Sequence, residues 1–192
     1  MRLVILDRDG TINEESDDYI KSPEECHMLP GSLEAIARLN RGGWRVAVAS
    51  NQSGLGRSLF TPSDLLGIHN KIQSLLRGHG GEIDAFFFCP HHPDDACDCR
   101  KPRPGMLHDI SRRFQTSLTH VPMIGDSEKD IDVARAAGAR PILVLTGRGE
   151  ETRERLERRG ILEEVEVFED LAAAANHLLG EHGEVDEDGA ES

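Results

Sequence analysis

No stretch of the 192-residue chain approaches the ~20 consecutive apolar residues that a membrane-spanning helix requires. The first residues, MRLVILDRDG, lack the pattern of a secretory leader, because the apolar run stops at residue 6 and an acid follows at once. The expected compartment is therefore the cytoplasm. Positive charge is scarce as well: 22 Lys and Arg face 35 Asp and Glu, giving a net charge of −13. That balance argues against a generic nucleic-acid or anionic-membrane binder. Any anionic ligand must be met by a local cationic site working against the global field. Cysteine is sparse too, and three of the four residues fall within positions 89–99. In a reducing compartment such clustering points to metal ligation rather than disulfides. Cys26 lies far from the others and reads as an isolated thiol. No internal repeat is present.

The length suits one domain with one sizeable core. Short buried strands are expected at residues 3–6, 44–49, 83–88, 121–124 and 142–145. Helices are expected at 31–41, from the Thr61-Pro62-Ser63-Asp64 start to about residue 76, at 104–114 and at 128–137, with two more near 150–159 and 169–179. Strand and helix alternate, which predicts an α/β fold: a three-layer, Rossmann-like parallel sheet with helices on both faces. One domain over 1–180 is expected, with an acidic, disordered tail at 181–192. The segments 13–43 and 54–89 leave no room for a separate cap domain.

Polar motifs follow the first, second and fourth strands, where such sheets place their ligand crevice. In LDRDGTIN, Asp7 and Asp9 are expected to point the same way into the crevice, although acids also end strands and DG also makes turns. In SNQSG, Ser50 offers a hydroxyl, while Asn51, Gln52, Ser53 and the glycine offer backbone N–H groups to an anion; an ordinary polar turn is the alternative. Arg100 and Lys101 can grip a phosphate, or form a solvated basic patch. In IGDSEKD, Asp126 can meet Asp7 across the strand ends, and converging hard carboxylates suit Mg²⁺. Asp126 can also serve as a helix N-cap.

The cysteine-rich loop reads CPHHPDDACDCRKPRPGM. Cys89, His91, Cys97 and Cys99 form C-x-H-x5-C-x-C, whose three thiolates and one imidazole suit a closed tetrahedral Zn²⁺ site. His92 is the rival for the histidine position. Four protein ligands leave no place for water, so the expected metal is structural. It would order a proline-rich loop and hold Arg100 and Lys101 beside the phosphate site.

Taken in order, DxDGT, the serine of the second motif, the lysine of the third and GDxxxD resemble the haloacid dehalogenase superfamily of aspartate-nucleophile phosphatases, over roughly residues 1–146. Within it, DRDGTIN, NQSG and CPHHP…CDCRKPRPGM are similar to a zinc-loop subgroup acting on a heptose bisphosphate, with histidinol-phosphate phosphatases as near relatives. The resemblance implies that Asp7 is the nucleophile and Asp9 the general acid and base. It implies Mg²⁺ on Asp7, Asp126 and the Asp9 carbonyl, and Ser50 and Lys101 on the phosphoryl oxygens. Asp130 would orient Lys101 or a metal water.

Specificity would come from loops around residues 15–19, including Tyr19, around 53–57, and from the zinc loop. Arg57 and Arg100 are candidates for a second phosphate, or surface charges. The acidic residues of segment 14–18 would repel such a phosphate and welcome an amine such as histidinol's. Ser53 stands where histidinol phosphatases typically carry Asp, which favours the heptose. The expected partner is thus a small sugar phosphate, with no nucleic acid and no membrane, and the enzyme is expected to be a monomer. The product would feed ADP-heptose synthesis for lipopolysaccharide core. A non-catalytic phospho-switch and a nucleic-acid 3′-phosphatase are the readings of other classes. The intact Asp9 and the zinc loop argue against the first, and the acidic charge against the second.

Overall fold

Successive residues of the first strand serve two different cores. In β1 (Arg2–Leu6), Val4 and Leu6 face one side of the sheet and Leu3 and Ile5 the other, and all four are buried. β2 (Trp44–Asn51) repeats the pattern with Val46 and Val48 against Ala47 and Ala49. A strand covered on both faces in this way belongs inside a parallel sheet. The sheet is six-stranded and parallel throughout, completed by β3 (Ala85–Cys89), β4 (Pro122–Gly125), β5 (Arg140–Val144) and β6 (Glu166–Phe168), in the order β3-β2-β1-β4-β5-β6. The computed structural model describes residues 1–181. All but the first residue of the expected acidic tail lies outside the described residues.

Three helices cover one face: α1 (Ser32–Arg41), α3 (Pro62–Gly78) and α7 (Leu171–Gly180). On the other face α4 (Gly105–Phe114) and α5 (Glu128–Ala137) pack on β1, β2 and β4. α6 (Gly149–Arg158) closes a smaller cluster through Leu156 on Ile131 and Leu143. The start read from Thr61 is formed: the Thr61 N–H donates to Asp64 at 2.8 Å and the Asp64 N–H returns a bond to the Thr61 hydroxyl at 3.2 Å. None of the described helices is long and apolar enough to cross a membrane.

The expected strands and helices are present with ends shifted by a few residues. Three elements were not legible, one of them a single 3-10 turn at Leu162–Glu164. Residues 53–57, expected as a loop, begin with the helical turn α2 (Ser53–Gly56). β6 is three residues long and sits among acids at 163, 164, 169 and 170, so it has no apolar run to announce it. It exists because β5 offers an open edge: Leu143 and Val144 register with Val167 and Phe168.

Ile36 is fully buried in the larger core. Ile36→Ala is expected to cost about 2–5 kcal/mol, read as a lower urea midpoint with an unchanged slope.

Candidate active site

β1 and β4 are neighbours, with Leu6 in register with Ile124. Each strand is followed within a residue or two by an aspartate, so topology alone brings Asp7 and Asp126 to the same end of the sheet. The Asp7 N–H donates to the Ile124 carbonyl at 2.8 Å, which carries the pairing one residue past β1. This is the point where strand order reverses, the usual ligand crevice of an open α/β sheet. A cleft of ≈ 390 Å³ opens there, large enough for a sugar phosphate. Gly10 and Gly147 both have positive φ (78° and 56°), and a Cβ on either would lie 2.0 or 2.2 Å from Asp126 Oδ2. Only glycine allows these two turns to close around that carboxylate.

Lys101 enters from the cysteine-rich loop and is 2% exposed. Its Nζ lies 2.9 Å from Asp7 Oδ1 and 2.5 Å from Asp130 Oδ1, and donates to the Ala49 carbonyl at 2.8 Å. Asp130 therefore does orient Lys101. Its other oxygen accepts from the Ser127 N–H at 3.1 Å and the Ser127 hydroxyl at 2.6 Å. Ser127, not Asp126, is the N-cap of α5. Asp126 instead accepts the Arg148 N–H at 2.8 Å on Oδ2.

Carboxylates of Asp7, Asp126 and Asp130 come within 4.8 Å of one another, and Lys101 pairs with two of them, Asp7 and Asp130. Burial, then repulsion from Asp130, pushes Asp7 up to about 7 against the pull of Lys101. Burial, then repulsion from Asp7 and Asp130, pushes Asp126 up to about 9. A set of hard oxygens short of positive charge is what a divalent cation such as Mg²⁺ fits. Asp130 is committed to Lys101 and Ser127, which leaves Asp7 and Asp126 to hold it.

Asp9 is gripped from three sides. The Arg8 guanidinium reaches its Oδ1 through Nε (3.0 Å) and Nη2 (2.8 Å) and its Oδ2 through Nη2 (2.9 Å). Asn13 Nδ2 donates to Oδ1 at 2.8 Å and Gln52 Nε2 to Oδ2 at 3.0 Å. Gln52 Nε2 also donates to the Ser50 hydroxyl oxygen at 2.6 Å. That leaves the Ser50 proton free for an anion in the cleft. Asn51 exchanges two 3.0 Å bonds with the main chain of Lys101, so its side chain brackets the lysine. Ser53 lines the cleft at the start of α2.

At the rim, Arg100 and Tyr19 line the cleft, the latter at φ 64°. Arg57 is exposed and does not line it. The acidic segment is partly neutralised: Arg148 Nε lies 2.8 Å from Glu15 and Nη2 lies 2.9 Å from Asp17. Arg148 and Arg8 escaped the sequence reading. Arg8 sits inside the first motif and could have been suspected there. Nothing local marks Arg148, which reaches the site from beyond β5.

The second constellation is the one the spacing predicts. Cys89, His91, Cys97 and Cys99 place one donor atom each within 4.8 Å of all the others. His91 Nδ1 lies 3.5 Å from Cys89 Sγ and 3.2 Å from Cys99 Sγ, and Cys89 and Cys97 Sγ are 3.7 Å apart. A disulfide needs about 2.05 Å, whereas the edge of a tetrahedron with Zn–S of about 2.3 Å is about 3.8 Å. Burial and the neighbouring Cys89 push the Cys99 thiol up to about 12, a crowding that a bound cation would relieve. The rival His92 turns outward, 3.3 Å from Asp94. Cys26 is a buried free thiol.

The HAD-hydrolase-like family model matches residues 98–174. The chain is 52% identical to D-glycero-beta-D-manno-heptose-1,7-bisphosphate 7-phosphatase of Bordetella bronchiseptica, covering 94% of this chain and 99% of the relative. It is 48% identical to the enzyme of the same name from Pseudomonas putida, covering 93% and 100%. The crystal structure of the B. bronchiseptica D,D-heptose 1,7-bisphosphate phosphatase, complexed with magnesium and phosphate, superposes with a TM-score of 0.90 over 94% of this chain and 99% of that one, at 52% identity.

Neutralising one carboxylate should stabilise the metal-free protein. Asp126 has a folded pKa raised from 3.8 to about 9. Between those values the unfolded chain has lost a proton that the fold keeps, so stability falls as pH rises through the window. Asp126→Asn is expected to raise the metal-free melting temperature above that of the wild type by about 2–4 °C per kcal/mol relieved. The gain should grow from pH 5 to pH 9, and the upward shift that Mg²⁺ gives the wild type should vanish. Thermal melts in chelator and in Mg²⁺ check both.

Proposed function

The chain belongs to the family of D-glycero-D-manno-heptose-1,7-bisphosphate 7-phosphatases, and we propose that it removes the 7-phosphate of the β-anomer through an aspartyl-phosphate on Asp7. The observation that carries the chemistry is the placing of Asp7 against Lys101 at the mouth of β1, with Asp9 fixed two residues on. The anomer rests on the names of the relatives above.

Asp7 attacks phosphorus. The bond to the sugar oxygen breaks, and that oxygen takes a proton from Asp9. Asp9 then takes a proton from water, whose oxygen attacks the aspartyl-phosphate, so inorganic phosphate leaves and Asp7 is restored. The Ser50 hydroxyl and Lys101 ammonium hold the phosphoryl oxygens as charge develops on them. A bound Mg²⁺, held by Asp7, Asp126 and the main-chain carbonyl of Asp9, supplies positive charge that offsets repulsion between carboxylate and phosphate. Cys89, His91, Cys97 and Cys99 would hold a Zn²⁺, which when bound would order the loop that delivers Arg100 and Lys101.

Arg100 is the candidate for the 1-phosphate. It lines the cleft, and its Nη1 is buried without a hydrogen-bond partner among the described residues. Arg57 drops out of this role because it lies off the cleft. The acidic segment speaks less strongly for an amine substrate, because Arg148 pairs with two of its four acids, Glu15 and Asp17. The product would serve ADP-heptose synthesis for lipopolysaccharide core.

With Mg²⁺ present, phosphate release from the β-heptose bisphosphate is expected to exceed that from the α-anomer and from histidinol phosphate, and Asp7→Asn to abolish it in a folded protein. Preference for histidinol phosphate would sink the substrate assignment. Cys99→Ser is expected to lower bound zinc, thermal stability and kcat together. A variant with full activity and no zinc would remove the loop from the mechanism.

A further inference from the structure

Arg8 stands between the two aspartates of the first motif and touches both. Its main-chain N–H donates to Asp7 Oδ1 at 2.7 Å, and its guanidinium holds Asp9 through Nε and Nη2. The side chain is 1% exposed and pairs with no other carboxylate, while Nη1 has no hydrogen-bond partner among the described residues. A buried guanidinium compensated by one acid gives poor stability for its desolvation cost, and an apolar residue of similar size is often as stable or more so. The geometry serves orientation better. A planar fork fixes the plane of a carboxylate in a way that a point charge cannot.

The contacts on Asp9 are unequal. Oδ1 accepts from Arg8 Nε, Arg8 Nη2 and Asn13 Nδ2, while Oδ2 shares Arg8 Nη2 and takes Gln52 Nε2. Oδ2 is the less committed oxygen, and it faces the Gln52–Ser50 side, where the phosphoryl group would sit. We propose that Arg8 is a positioning residue of the phosphatase reaction: it fixes the Asp9 carboxyl so that Oδ2 passes its proton to the sugar oxygen as the P–O bond breaks. This rests on the phosphatase reading above. On this proposal the effect of Arg8 on the reaction runs through Asp9.

The test exploits leaving groups that differ in their need for a proton. A sugar alkoxide must be protonated as it leaves, whereas p-nitrophenolate leaves unaided. Arg8→Gln and Arg8→Lys would be checked for wild-type zinc content and cooperative melting. They would then be compared on the heptose bisphosphate and, by rapid mixing, on p-nitrophenyl phosphate. For Arg8→Gln, kcat on the sugar is expected to fall by about 100-fold or more with KM changed less than about 3-fold, the scale of a lost general acid. The first-turnover release of p-nitrophenolate should fall by less than about 10-fold, since no proton is needed there. Arg8→Lys keeps the charge and loses the fork, so it should show the same split, and it carries the comparison if the glutamine variant does not fold. Equal losses on both substrates would reduce Arg8 to a structural residue, and wild-type kcat on the sugar in either variant would overturn the proposal. A wild-type enzyme that cleaves another alkyl phosphate but not the heptose would overturn the substrate alone, and the alkyl-to-aryl ratio would then be read on that ester.

Discussion

Asp7, Asp126 and Asp130 are packed together out of water, and the Lys101 ammonium pairs with Asp7 and Asp130. Three carboxylates and one lysine cannot all be charged there at low cost, and the pKa values of Asp7 and Asp126 rise in consequence. The surrounding structure bears the mark of that imbalance. Two glycines with positive φ close around Asp126, the Arg148 N–H caps one of its oxygens, and Asp130 is divided between the lysine and the start of α5. Each device holds a carboxylate where isolated burial would protonate or expel it. The same imbalance makes the site receptive to a hard cation.

The cysteine loop acts at one remove. Cys89 ends β3, and its carbonyl accepts the Gln52 N–H at 2.8 Å. Gln52 in turn holds Asp9 and Ser50. At the other end of the loop, Lys101 follows Cys99 by two residues and is bracketed by Asn51. The Cys/His cluster is therefore joined to the cleft by two short hydrogen-bonded routes, one to the acid and one to the lysine. A loop without regular secondary structure gains a fixed position at both of its ends, at the places where the chemistry needs precision.

Much of the site was legible because its chemistry is local. Asp7, Asp9 and Asp126 follow strands, Ser50 lies at the end of β2 and Lys101 follows the cysteine cluster, and the alternation of strands and helices says which ends meet. The C-x-H-x5-C-x-C spacing named the four soft side chains that the fold brings together. The less legible residues act through long-range partners. Arg148 crosses from the end of β5 to Glu15 and Asp17. The backbone N–H of Gln52, expected to meet an anion, donates instead to the Cys89 carbonyl. Arg57 looked like a phosphate contact, yet the helical turn α2 leaves it on the surface.

The sequence by itself determined the parallel α/β architecture, the identity of the carboxylates and the soft-metal set, because apolar periodicity, strand-end position and ligand spacing are properties of short segments. Tertiary structure alone decided which polar groups remain free for a ligand. That depends on who has already claimed each hydrogen bond, and several of the claimants lie 22 to 131 residues away. Arg8 belongs to both classes: its place between two aspartates is written in the chain, while its burial, with Asp9 as its one ion-pair partner among the described residues, comes from the packing of the fold.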